Sequence, residues 1–157
     1  VVSEMHTGEY LSTLVAGNIH AGFLPVILFM LAGVMAFATG TSWGTFGIML
    51  PIAAAMAVKV EPSLIIPCMS AVMAGAVFGD HCSPISDTTI LSSTGAHCNH
   101  IDHVTSQFPY ALTVAASAAS GYLALGMTGS APLGFVVTGI VMVILIFILK
   151  DKKKATA

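Results

Sequence analysis

Arginine is absent from this 157-residue chain, and charge of either sign is scarce. Five lysines and seven acids make up 8% of the residues, where a soluble domain carries about 25%. No Asp, Glu, Lys or Arg occurs between Glu9 and Lys59, or between Asp102 and Lys150. A water-exposed surface cannot be built from such runs. Without a basic patch interleaved with aromatics, nucleic acid is excluded as a partner. Cysteine is sparse too: Cys68, Cys82 and Cys98 are odd in number and form no C-x-x-C pair, so no disulfide framework is indicated. Cys68, in an apolar stretch, reads as a small core residue. The chain opens with Val1, and no signal-peptide pattern follows it.

Apolar residues are present in quantity. Hydrophobic types account for 56% of the chain and mean hydropathy is +0.93. The composition describes an integral, multi-pass membrane protein made of helices. Four of the five lysines lie between Lys150 and Lys154. A basic tail after an apolar helix favours the cytoplasm, which sets the C-terminus inside. Counting back, the His-bearing segment 96–106 is cytoplasmic, segment 63–95 enters from outside, and the Lys59 turn lies outside.

A spanning helix needs about 20 mostly apolar residues. Residues 1–20 are mixed, with Glu4, His6, Glu9 and His20, and read as a lead-in helix. Residues 21–58 read as a helix–break–helix hairpin. Its second arm, Thr45 to Val58, looks too short to span untilted and suits a re-entrant hairpin. Residues 63–95 read as a broken helix, 96–106 as a His-rich loop, 107–127 and 133–149 as two ordinary spans, and 150–157 as a basic tail. Small residues recur at four-residue spacing in Ala71, Gly75 and Gly79, and again in Ala115 and Ala119. Such stripes let membrane helices approach closely.

The two interruptions carry the chemistry. In lipid each unpaired backbone group costs several kcal/mol, so broken backbone survives only inside protein or beside water. Secondary transporters use such breaks to build a midplane site. The first break, Thr39-Gly40-Thr41-Ser42-Trp43-Gly44-Thr45, offers hydroxyls at Thr41, Ser42 and Thr45, with glycines that permit unwinding. A plain interhelical turn at the membrane surface is the simpler reading of that stretch. The second break, FGDHCSPISDTT, runs from Phe78 to Thr89. Asp80 and Asp87 are the only acids between Glu61 and Asp102, with Ser83, Ser86 and Thr88 around them. An acid at membrane depth costs about 3 kcal/mol or more and marks a functional site by default. Its charged form is disfavoured by burial, so such a carboxylate can hold either a proton or a hard cation such as Na⁺. Pro84 removes a backbone donor and holds the segment unwound. The simpler reading of Asp87, just before Thr88-Thr89-Ile90, is a helix cap.

His97, Cys98, His100 and His103 have the residue types of a zinc site. Their spacing is irregular and no partner pair occurs elsewhere, so no zinc is expected. A solvated loop fits better, one that modulates the pH response, since imidazoles change charge between roughly pH 5 and 8.

The stretches ATGTSWGTFGIMLPIA and GDHCSPISDTTILSSTGA resemble signature segments of the NhaC-type Na⁺/H⁺ antiporters, and CNHIDHVTSQFPYAL is similar to the segment that follows them in that family. The resemblance covers Ala21 to about Leu125. Members are typically much longer, which implies a C-terminal portion of a longer transporter. The implied fold is an all-α membrane bundle with a re-entrant hairpin and a discontinuous helix, one half of an inverted-repeat transporter. The implied activity is exchange of cytoplasmic Na⁺ for external H⁺ across a bacterial-type cytoplasmic membrane. The carry-over places Thr41, Ser42 and Thr45 in the hairpin motif and Asp80, Ser83, Ser86, Asp87 and Thr88 in the broken-helix motif, with Na⁺ at Asp80. Its partners would be lipid and the N-terminal half of the same transporter, with homo-oligomerisation left open and no cofactor beyond the transported ions.

Two other functions fit some of the residues. A Na⁺-coupled organic-acid or amino-acid transporter would share the architecture but needs a group that meets the substrate carboxylate, and this chain has no Arg. An intramembrane aspartyl protease has a Gly-Asp element like Gly79-Asp80. Its two aspartates must face each other from different helices, whereas Asp80 and Asp87 lie close in sequence across a proline. An enzyme is therefore not expected.

Overall fold

The computed structural model describes residues 20–155, the last five by backbone alone. A 3₁₀ turn, Ala21–Phe23, leads into α1 (Leu24–Thr39). Next come α2 (Ser42–Val60), a second 3₁₀ turn (Pro62–Leu64), α3 (Ile65–Cys82), α4 (Asp87–Gly95), α5 (His100–Thr128) and α6 (Ala131–Ala155). Among the described residues every regular element is helical. Five stretches are long and apolar enough to cross a membrane: Ala21–Thr39, Ser42–Val60, Pro62–Cys82, His100–Thr128 and Ala131–Lys150. The expected lead-in helix lies outside the described residues, apart from His20. That residue caps the first turn, with Gly22 N–H donating to His20 Nδ1 at 3.2 Å.

Local sequence sets the helix boundaries. Pro25 opens α1, where a missing N–H costs nothing. Gly40 closes it in the left-handed region (φ 68°), its N–H returning to the Ala36 carbonyl. Thr41 is extended and caps α2, its Oγ1 accepting from Gly44 N–H at 3.3 Å. The first break is therefore only Gly40 and Thr41. Ser42, Trp43 and Gly44 already belong to α2, which has 19 residues. The expectation of an arm too short to span does not hold, because the Thr41 cap starts the helix earlier than the Gly-bearing sequence implied.

The second break is also narrower than expected. Asp80, His81 and Cys82 continue α3 to its end. Pro84 then forces the preceding residue out of the helical region, and Ser83 is extended (φ −73°, ψ 130°). The break is Ser83–Ser86, and Asp80 sits in the last turn of the helix before it. The His-rich loop is likewise shorter than 96–106. Asn99 accepts from the N–H groups of Ile101 (2.9 Å) and Asp102 (3.3 Å), so α5 begins at His100. His100 and His103 are helical residues.

Helices α1, α2 and α3 form a three-helix core around Leu24, Leu28, Ala32, Met49, Ala53, Cys68 and Val72, all buried. The expected small-residue stripe sits where α3 meets α1. A Cβ on Gly75 would stand 2.1 Å from the Phe29 carbonyl oxygen, and one on Gly79 would stand 2.0 Å from that of Gly33. A second cluster joins Phe29, Ala71 and Ala115, with Phe78, Ala119 and Tyr122 packed on it. It seats α5 against α1 and α3, where Tyr122 Oη donates to the Ser70 carbonyl at 3.0 Å. Helix α6 packs on α5 and leaves Phe135, Val136 and Phe147 exposed.

Candidate cation site at the meeting of two breaks

Consecutive helices α1, α2 and α3 alternate in direction, so the end of α1, the start of α2 and the end of α3 share one end of the bundle. The two breaks touch there: a Cβ on Gly40 would meet the Ile85 carbonyl oxygen at 2.9 Å. With φ positive and that carbonyl against it, position 40 accepts only glycine. The first turn of α5 arrives at the same place through His100.

Asp80 is 5% exposed, the one acid among the buried polar and charged residues described. Its Oδ1 accepts from Ser86 Oγ at 2.7 Å. Ser86 occupies the N-cap position of α4 but makes no side-chain cap bond, because its hydroxyl is turned to Asp80. Thr88 Oγ1 lies 2.8 Å from Ser86 Oγ. With Asp80 ionised, Ser86 spends its only hydrogen on the carboxylate, so Thr88 donates to Ser86. A line of hydroxyls thus runs from exposed Thr88 through buried Ser86 to Asp80. No Lys or Arg occurs between Lys59 and Lys150, so α4 and α5 bring Asp80 neither, nor does the rest of α3.

The broken ends are otherwise well satisfied. The last carbonyls of a helix lack intrahelical partners. Here Ser83 N–H donates to the Asp80 carbonyl at 3.1 Å. The His81 carbonyl accepts from Thr89 Oγ1 at 3.3 Å and from the Gln107 amide. No buried side-chain nitrogen or oxygen among the described residues lacks a partner.

The remaining expected site residues divide. Ser83 is fully buried, its Oγ accepting from Ile85 N–H at 3.3 Å. Asp87 is exposed at the first residue of α4, with Oδ1 accepting from Thr88 N–H at 2.8 Å. That is the geometry of a helix-end residue. Thr45 is buried but donates to the Thr41 carbonyl at 2.9 Å. Thr41 and Ser42 are half-buried. The break carrying these three residues meets the second through Gly40 and Ile85.

The three histidines do not lie in one loop. His97 is exposed with φ 51°. His103 lines a cavity of about 950 Å³ between α3 and α5, apolar along most of its wall, with His81, Ser92 and Gln107 at the same polar end. His100 is half-buried and bonded to the second break through the Pro84 carbonyl. Among the described residues no three His, Cys, Asp or Glu side chains gather as metal ligands. The parts played by His100 and Gln107 escaped the sequence reading. A signal existed: 100, 103 and 107 follow the spacing of one helix face, a polar stripe opening an otherwise apolar span.

The described residues thus form a polytopic helical bundle with two apposed breaks and a nearly buried acid held by a hydroxyl. The family model of the Na⁺/H⁺ antiporter family matches residues 1–127, and the chain belongs to that family. It is 64% identical over 152 residues to an uncharacterised protein of Haemophilus influenzae, covering 97% of this chain and 29% of that one. It is 35% identical over 89 residues to the malate-2H⁺/Na⁺-lactate antiporter of Bacillus subtilis, covering 55% of this chain and 18% of that one. It is also 35% identical over 82 residues to an uncharacterised Na⁺/H⁺ antiporter of H. influenzae, covering 52% and 17% respectively. The chain therefore spans less than a third of the length of these relatives. No solved structure matches it.

Proposed function

We propose that this chain forms part of a Na⁺/H⁺ antiporter in which Na⁺ and H⁺ compete for Asp80. The observation that carries the reading is a nearly buried carboxylate with a hydroxyl donor and no Lys or Arg on its own or the two following helices, at the junction of two breaks. An ionised acid in that setting is expensive unless paired. A bound proton removes the charge, and a bound Na⁺ neutralises it. Exclusive occupation by one or the other is the least chemistry an exchanger needs. Ser83, Ser86 and Thr88 supply hard oxygens beside Asp80, and Thr41, Ser42 and Thr45 supply them from the facing break. Asp87 serves mainly the end of α4. His97 and His103 retain the proposed part in the pH response.

In this reading the basic tail is cytoplasmic, and helix alternation puts both breaks on the cytoplasmic side of their helices in a bacterial-type membrane. The N-terminal remainder of the transporter supplies the second, inverted half, closes the site and covers apolar faces that α6 leaves open. Lipid covers the rest.

The test uses inverted vesicles holding the full-length transporter and a pH-sensitive dye. Na⁺ should dequench the dye with the wild-type protein and fail to do so with Asp80→Asn, which keeps size and removes the charge. Full activity in Asp80→Asn removes Asp80 from the mechanism.

A second reading, exchange of organic acids coupled to Na⁺, is favoured by the name of the B. subtilis relative and by the cavity with histidines at its polar end. Malate- or lactate-dependent Na⁺ uptake, together with no response to Na⁺ alone, would select it.

A further inference from the structure

We propose that His100 is a positioning residue of the cation site: its imidazole clamps the Ser83–Ser86 turn and so fixes the hydroxyl that Ser86 presents to Asp80. The inference rests on the reading of Asp80 as the coupling carboxylate.

The turn is short. Its own hydrogen bonds are local: Ser83 N–H to the Asp80 carbonyl, Ser86 N–H to the Ser83 carbonyl at 3.3 Å, Ile85 N–H to Ser83 Oγ at 3.3 Å and Ser86 Oγ to Asp80. Ile85 is more than half exposed. Among the described residues, one hydrogen bond reaches the turn from beyond α3 and α4. It joins His100 Nε2 to the Pro84 carbonyl at 2.6 Å. The other ring nitrogen, Nδ1, lies 3.0 Å from Ser93 Oγ, and Ser93 is buried on α4. One imidazole thus ties together the turn, α4 and the start of α5. Pro84 is two residues from Ser86, so a shift of that carbonyl moves the Ser86–Asp80 bond directly.

Counting hydrogens defines the clamp. A carbonyl oxygen only accepts, so Nε2 carries a hydrogen. That holds for the neutral Nε2–H tautomer and for the imidazolium alike. Only the Nδ1 side changes. Ser93 has one hydroxyl hydrogen and two acceptors within reach, Nδ1 and the Ile90 carbonyl at 2.9 Å. It donates to Nδ1 when the ring is neutral and to Ile90 when the ring is charged. The bond to Pro84 is therefore the same in either form, so the clamp does not depend on the charge of the ring.

Side-chain length supplies the test. A Gln amide nitrogen reaches about as far as Nε2 and donates without titrating, whereas Ala removes the donor. In inverted vesicles with the full-length transporter, His100→Ala should raise the Na⁺ concentration for half-maximal exchange about tenfold, the size expected for one lost hydrogen bond to the site. Its maximal rate should stay within roughly twofold, since the clamp holds the site and takes no part in the ion's passage. His100→Gln should restore most of the Na⁺ affinity and keep the wild-type pH optimum. An unchanged Na⁺ half-saturation in His100→Ala overturns the proposal. So does failure of Gln to rescue, or a displaced pH optimum in the Gln variant. Should His100→Ala not reach the membrane, Ser93→Ala carries the test: it frees the ring's orientation and should raise the Na⁺ half-saturation about threefold, no rise counting against the clamp. Asp80→Asn in the same vesicles keeps the two claims apart. Exchange that survives Asp80→Asn overturns the site reading itself. Loss in Asp80→Asn with a normal His100→Ala overturns only the role of His100.

Discussion

Replacing Gly75 by alanine puts a methyl group 2.1 Å from the Phe29 carbonyl oxygen. The obstacle is backbone in the middle of α1, with no rotamer to escape into. Helices α1 and α3 must separate by on the order of 1 Å before ordinary van der Waals distance returns. Overpacking of this kind costs about 1–3 kcal/mol. Alanine recovers up to about 1 kcal/mol of helix propensity over glycine, so the sign depends on the wedge being the larger effect. The structure favours the wedge, because Gly79 meets the Gly33 carbonyl just as closely one turn later. The mid-range difference, a net loss of about 1 kcal/mol, corresponds to a shift of roughly fivefold in the folding equilibrium. Gly47→Ala is the matched control, since nothing lies within 4 Å of a Cβ there, and it should be neutral or stabilising. Unfolding of the full-length protein in detergent, titrated with SDS and followed by far-UV circular dichroism, reads both variants. Equal stability of Gly75→Ala and Gly47→Ala would refute the close α1–α3 crossing. The same separation loosens the Gly40–Ile85 contact, so exchange should fall in Gly75→Ala even where the protein remains folded.

Three other outcomes follow from the geometry. Asp87→Asn should lower exchange far less than Asp80→Asn, because Asp87 is exposed and bonded to the end of its own helix; dye dequenching in inverted vesicles compares them, and loss confined to Asp87→Asn would move the coupling role there. His97→Gln with His103→Gln should shift the pH optimum and leave maximal exchange largely intact, as seen in rate-versus-pH profiles; loss of Na⁺ binding in that double variant would contradict it. Residues 1–157 alone, reconstituted in liposomes, should give no Na⁺-driven proton flux, since one repeat holds half of the proposed moving interface. Measurable flux would overturn the split-site picture.

Much of the architecture was legible in the sequence because lipid is a strict solvent. Long uncharged runs have few folded forms open to them, and an all-helical membrane bundle follows from that; that Ser42–Val60 is long enough to cross a membrane did not, since its first turn was read as part of a break. Pro84 marks the second break for a local reason, the steric limit it sets on Ser83. The stripe Ala71, Gly75, Gly79 announced a tight crossing but not its partner, since the carbonyls of Phe29 and Gly33 leave no trace in side-chain pattern. Boundaries were misread where a cap hid in loop-like sequence. Thr41 starts α2 although Trp43-Gly44 follows, and Asn99 starts α5 inside what looked like a histidine loop. The site was legible in part. Asp80 and Ser86 stood out as an acid and a hydroxyl near a proline. That Ser86 abandons its capping position for Asp80, and that His100 reaches Pro84 across 16 positions, depends on how the chain folds back at the second break.

The most direct measurement of the central claim is proton release on Na⁺ binding. Purified full-length transporter in weakly buffered detergent solution, poised at a pH where exchange is half-maximal, is mixed with Na⁺ while a pH indicator is followed. Competition for one carboxylate predicts prompt acidification that saturates with Na⁺, approaches but does not exceed one proton per site, and vanishes in Asp80→Asn. Na⁺ binding without proton release, or release that persists in Asp80→Asn, would contradict it.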